Sequence, residues 1–209
     1  GNLLPLAITS GDPAGIGPEV IEQIIRSDRL CLDDCALIGS GPWTELLTEK
    51  YGIKSHSVGA SDFSVKLGVP SNGSASIALD SMNFAAKGCM EGLFRGVVTG
   101  PVSKYWLKEL GFEFPGQTEF FANAWGGDPS MAFIGQKLLI VLATWHIPLR
   151  EVPSALDEVC VEKAVQHAFK LAQCLGIAKP RIGFCGLNPH AGEGGLLGKE
   201  ELTIINPIL

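Results

Sequence analysis

Two histidines stand where chemistry is expected. His146 follows the apolar run 138–144 and precedes Ile147-Pro148-Leu149-Arg150. His190 follows a second run, 181–187, within Asn188-Pro189-His190-Ala191-Gly192-Glu193. α/β proteins gather their sites just beyond the ends of core strands. Neutral imidazole is a common ligand of divalent metals. The pair therefore reads as metal ligands or as a satisfied structural pair, and spacing leaves both open. Glu193 is the nearest carboxylate that could join them. The other two histidines read as surface residues: His56 in a polar loop segment, and His167 among Lys163, Gln166 and Lys170.

Two junctions between a strand and a helix could hold an anion. The first is Ser10-Gly11-Asp12-Pro13-Ala14-Gly15-Ile16-Gly17. Its glycines permit close backbone approach, and a helix start offers free N–H groups. It is neither a dinucleotide fingerprint nor a Walker loop, and a tight structural turn explains it equally well. The second is Thr99-Gly100-Pro101-Val102-Ser103-Lys104. A lysine in a first helical turn opposes the helix dipole. A bound phosphate or carboxylate would account for Lys104, and so would plain solvation.

These residues need a scaffold, and the pattern supplies one. Strands are expected at 4–10, 36–39 and 96–99, with helices at 17–26, 42–50, 74–93, 102–110 and 118–125. Pro18 suits the first turn of its helix. Strands 131–134 and 138–144, separated by Gly135-Gln136-Lys137, predict an antiparallel hairpin. Val161, Ala164, Val165, Ala168, Leu171, Ala172 and Leu175 form one apolar stripe over helix 159–175. A strand at 181–187 and a helix over 199–205 follow. This order gives an α/β fold, with a division at 114/115 between a first domain, 1–114, and a partial second one, 115–209.

Composition narrows the function. Net charge is −6 without a basic run, which argues against nucleic acid. No stretch approaches the ~20 apolar residues that span a bilayer. The start has no basic secretory segment, and Gly1 is consistent with a tag residue. Six cysteines are scattered without a C-x-x-C pair, so reduced, mostly buried thiols in the cytoplasm are expected. Cys185 falls in the expected strand 181–187 and Cys174 on the expected helix 159–175.

Five segments together resemble the 4-hydroxythreonine-4-phosphate dehydrogenase family. They are Ile8 to Glu19 around Gly11-Asp12-Pro13-Ala14-Gly15, Val98-Thr99-Gly100-Pro101-Val102-Ser103-Lys104, Phe114-Pro115-Gly116-Gln117-Thr118-Glu119, Thr144-Trp145-His146-Ile147-Pro148-Leu149-Arg150, and Gly186-Leu187-Asn188-Pro189-His190-Ala191-Gly192-Glu193. They occur in the family's order and cover nearly the whole chain.

The resemblance implies a fold like isocitrate and isopropylmalate dehydrogenases, two α/β domains with a cleft between them, and a homodimer with active sites at the subunit interface. It implies His146 and His190 as ligands of a divalent metal (zinc, magnesium, manganese or cobalt), Gln117 and Thr118 as substrate contacts, and Lys104 as a catalytic residue. The implied reaction is oxidation of a small phosphorylated hydroxy acid by NAD or NADP, followed by loss of carbon dioxide.

Two departures stand out. The family's third motif carries histidine where this chain has Gln117, which hydrogen-bonds but does not titrate near neutrality. A four-carbon sugar-acid phosphate is then an alternative substrate. The family also continues past this chain's end, so a third histidine and much of the nicotinamide site are expected beyond Leu209. A fragment that binds a phosphorylated small molecule without turnover is the remaining alternative.

Overall fold

The computed structural model describes residues 3–209; Gly1, read above as a tag residue, lies outside them. Contacts divide the chain into two compact units, one ending at Gly127 and one running from Asp128 to Leu209.

The first unit is built on four parallel strands in the order β3-β2-β1-β4. These are β1 (Leu6–Thr9), β2 (Cys35–Ser40), β3 (Lys54–Val58) and β4 (Gly96–Val98). Helices α1 (Gly17–Arg26), α2 (Gly41–Tyr51) and α3 (Asn72–Met90) connect them, and α4 (Lys104–Glu109) and α5 (Gln117–Trp125) follow. Successive strand residues face opposite ways, and the two cores record this. Ala7, Ala36 and Ile38 pack with Met82, Ala85 and Ala86 of α3 and with Phe120 and Phe121 of α5. Ile8 and Leu37 pack with Ile21 and Ile25 of α1 and Leu47 of α2. Both faces are thus covered, and all of β2 is buried. This is how a parallel sheet resolves its two apolar faces.

Small residues let α3 lie close. A Cβ on Gly88 would stand 2.4 Å from the Phe94 ring. A capping box between Ser71 and Ser74 starts α3 earlier than position 74. The strand β3 was not expected, because Lys-Ser-His-Ser-Val lacks an apolar run; it forms as a polar edge strand paired only to β2. His56 is therefore not a surface loop residue. It sits half-buried in β3, its ring 4.9 Å from that of Phe84 and 5.7 Å from that of Phe94. Helix α5 belongs to the first unit, past the division expected at 114/115, because Phe120 and Phe121 enter the first core.

The second unit is sparser. Strands β5 (Ala132–Ile134) and β6 (Leu139–Val141) form the expected antiparallel hairpin. A short α6 (Val152–Ala155) precedes the long α7 (Glu158–Cys174), which Asp157 caps by accepting from the Cys160 N–H. Val161 and Ala164 of its stripe are buried, while Leu175 is exposed. The last elements are a π-helix, Glu201–Ile205, and α8 (Asn206–Ile208), in place of a regular helix over 199–205.

Residues 181–187 do not form the expected strand. A strand exists only as half of a ladder, and β5 and β6 pair with each other alone. Instead, 181–187 lines an apolar cavity of about 680 Å³ shared with β6 and the Val165, Ala168 and Leu171 side of α7. Cys185 is consequently exposed, as are Cys31 and Cys174; Cys89 and Cys160 are half-buried and Cys35 alone is buried, so the thiols are not mostly buried as expected.

Candidate functional site

In the first unit the site grows from the carboxyl ends of β1 and β4, which are adjacent parallel strands. The loops leaving them are joined through their backbones. The Gly100 N–H donates to Thr9 O at 3.0 Å, and the Asp12 N–H donates to Pro101 O at 2.8 Å. Gly11 has φ +69°, and a Cβ there would lie 2.1 Å from Pro101 O. A Cβ on Gly17 would lie 2.2 Å from Ser10 O. Gly11 thus serves close approach of the two loops to each other, and Gly17 lets the start of α1 lie against Ser10 of its own loop.

Gln117 opens α5 and is anchored to the same junction, its Nε2 donating to Gly100 O at 3.1 Å. Its Oε1 is buried without a hydrogen-bond partner. Thr118 follows it, partly buried. Asp12 is 4% exposed; one carboxylate oxygen accepts from the Ala14 N–H at 2.9 Å and the other has no partner. Buried acceptors are ordinarily satisfied, so these two mark the junction as a polar site. Lys104 is exposed at the start of α4. Its Nζ lies 4.0 Å from where a Gly116 Cβ would stand, and Glu119 Oε2 lies 3.2 Å from the same point. The structure thus brings Lys104 to the start of α5, the helix that carries Gln117 and Thr118.

In the second unit, His146 and His190 are both exposed and both have left-handed backbones, with φ 57° and 53°. His190 begins a left-handed run that continues through Ala191, Gly192, Glu193 and Gly194. Non-glycine residues avoid this region, and such outliers concentrate at functional sites. The turn is held from behind. Asn188 donates its backbone N–H to Glu201 Oε1 at 2.7 Å, and its Nδ2 to Glu201 Oε2 at 2.9 Å and Glu200 Oε2 at 2.7 Å. The Asn188 bonds hold the Glu201 carboxyl below the usual carboxylate range. His167 is not simply a surface residue either; it is half-buried on α7, with Nδ1 against Ser130 Oγ.

Two imidazoles fit the donor chemistry of a divalent transition metal as two of its ligands. Among the described residues, no group of three His, Cys, Asp or Glu side chains is placed to hold a metal ion. Burial pushes the Cys35, Cys89 and Cys160 thiols up, which argues against thiolate chemistry at these positions.

Asp12, Asn188, Glu200 and Glu201 escaped sequence reasoning as site residues. Asp12 sat in view inside the first glycine junction. Glu201 had no signal beyond being acidic in an expected helix, because its partner Asn188 is found only by folding the chain back.

An α/β sheet with polar residues collected at the carboxyl ends of neighbouring parallel strands defines the class as a ligand-binding α/β protein. The chain belongs to the family described as pyridoxal phosphate biosynthetic protein PdxA, whose pattern matches residues 20–209. It is 34% identical to a 4-hydroxythreonine-4-phosphate dehydrogenase of Xylella fastidiosa strain 9a5c, over 98% of this chain and 67% of that protein. Identity is 37% to the protein of the same name from Aromatoleum aromaticum, again over 98% and 67%. A crystal structure of 4-hydroxythreonine-4-phosphate dehydrogenase from Klebsiella pneumoniae superimposes with a TM-score of 0.87 at 27% identity, over 98% of this chain and 70% of that one. A terephthalate 1,2-cis-dihydrodiol dehydrogenase from Burkholderia xenovorans LB400 gives 0.70 at 27% identity, over 99% and 69%. The relatives are named as dehydrogenases, so the family is one of enzymes, and the α/β class expected from sequence holds.

Proposed function

We propose that this chain acts as a 4-hydroxythreonine-4-phosphate dehydrogenase. The reaction is oxidation of 4-hydroxythreonine 4-phosphate with decarboxylation to 3-amino-2-oxopropyl phosphate, a step of pyridoxal phosphate biosynthesis. The observation that carries this reading is the convergence of Lys104 and Gln117 beside the β1 and β4 ends, in a chain of this family. Lys104 supplies the cation for the substrate's phosphate or carboxylate, and serves as the catalytic residue of this unit. Gln117, oriented by Gly100 O, offers an acceptor to the substrate, and the Thr118 hydroxyl either donates or accepts. Positioning of this kind is a large part of what a protein contributes to cofactor chemistry.

His146 and His190 would hold a divalent metal, with zinc or a neighbouring transition metal favoured by imidazole. When bound, such a metal polarises a carbonyl and eases loss of carbon dioxide. The hydride acceptor is NAD or NADP. A homodimer and a cytoplasmic location are part of the reading. The six cysteines are free, and no described helix is long and apolar enough to cross a membrane.

One observation favours a second substrate. Gln117 presents an amide where the family motif has histidine, which suits a four-carbon sugar-acid phosphate. Formation of reduced nicotinamide, with divalent metal present, tests both. Turnover of 4-hydroxythreonine 4-phosphate supports the first reading. Turnover of the sugar-acid phosphate alone replaces it with the second. Turnover of neither rejects dehydrogenase activity for this chain.

A further inference from the structure

The left-handed run 190–194 poses a physical problem. His190, Ala191 and Glu193 occupy conformations that L-residues avoid, so the turn persists only where its surroundings over-determine it. Pro189 has no N–H to contribute. The last anchor before His190 is Asn188, and Glu201 grips it at both main chain and side chain. Carboxylate bonds of this paired kind are strong and directional. Glu201 is 4% exposed and starts the π-helix Glu201–Ile205, an element common at functional sites. Close packing seals the arrangement. A Cβ on Gly198 would stand 2.2 Å from Asn188 Nδ2, and one on Gly192 would stand 2.9 Å from Glu201 Oε2.

We infer that Glu201 is a positioning residue: acting through Asn188, it fixes the turn that presents the His190 imidazole to its metal. This rests on the reading of His190 as a metal ligand. Residues behind metal ligands set ligand orientation, and their loss typically weakens metal affinity roughly 10–100-fold. Glu200 adds a single bond to the Asn188 carboxamide and has a smaller share.

The test uses the whole chain and two readouts: cobalt(II) affinity, from its visible absorption, and the ring resonances of His190 in metal-free protein. Glu201→Ala and Asn188→Asp, the latter setting like charges against each other, are expected to weaken cobalt binding at least tenfold and to shift the His190 ring signals. The pair Asn188→Asp with Glu201→Gln is expected to recover most of both, Glu200 alone still setting a like charge against the new carboxylate. The glutamine NH₂ then donates to the new carboxylate while its Oε1 still accepts from the main chain. His190→Ala separates the two claims. If it leaves cobalt binding unchanged, or if cobalt does not bind at all, the metal-ligand reading fails, and the ring signals alone decide whether Glu201 sets the imidazole. Unchanged ring signals in Glu201→Ala and Asn188→Asp overturn the inference. So does failure of the double variant to recover where either single variant does not fold.

Discussion

The two units hold their candidate site residues by opposite means. In the first, a parallel sheet covered on both faces carries loops locked to each other by backbone hydrogen bonds. In the second, the hairpin is short, β5 is exposed along its length, and an apolar cavity lies beside α7. His146 and His190 there have left-handed backbones, and the residue before the His190 turn, Asn188, is held by one buried carboxylate. Rigid elements position a site through bulk burial, whereas a turn positions it through a few specific polar bonds. The first should tolerate loss of a single hydrogen bond, and the second should not.

The sharpest contrast is in core truncation. Leu37→Ala, at a fully buried position of β2, is expected to cost about 4 kcal/mol. Leu171→Ala, on the cavity wall and only partly buried, removes less packing and is expected to cost about 2 kcal/mol. Urea unfolding measures both, and equal costs would erase the distinction. Next is Gly11→Ala, which meets Pro101 O and a positive φ at once; about 3 kcal/mol is expected in the same experiment.

A pH effect follows in the second unit. The folded Glu201 carboxyl lies below its unfolded value, so its contribution is present above the ordinary glutamate value of about 4.3 and is lost as pH falls through the lower folded one. Thermal midpoints should decline over that acid window, and Glu201→Ala should flatten the decline. The smallest effect is at the surface. Lys50→Ala breaks the 2.9 Å pair with Glu22 and should leave the thermal midpoint unchanged, because exposed ion pairs contribute little.

Legibility in the sequence followed the same division. The strands over β1, β2 and β4 and their helices could be read because burial imposes apolar periodicity, as Ala7 and Ile8 show by entering different cores. β3 could not, because an edge strand needs no apolar run. Residues 181–187 misled, since an apolar run states a wish for burial and not a ladder partner. Lys104, Gln117, His146 and His190 stand out as candidates from residue type, spacing and family resemblance. The Asn188–Glu201 clamp does not, because a long-range polar contact has no periodic trace.

In the proposed function, Lys104 receives the anionic group of the substrate at the junction of β1, β4 and α5. Calorimetric titration with 4-hydroxythreonine 4-phosphate, of the native chain beside Lys104→Ala, measures that role. Binding by the native chain is expected, with a loss of at least about tenfold in the variant, as for removal of a charge-assisted bond. Equal affinity of the two proteins would contradict it.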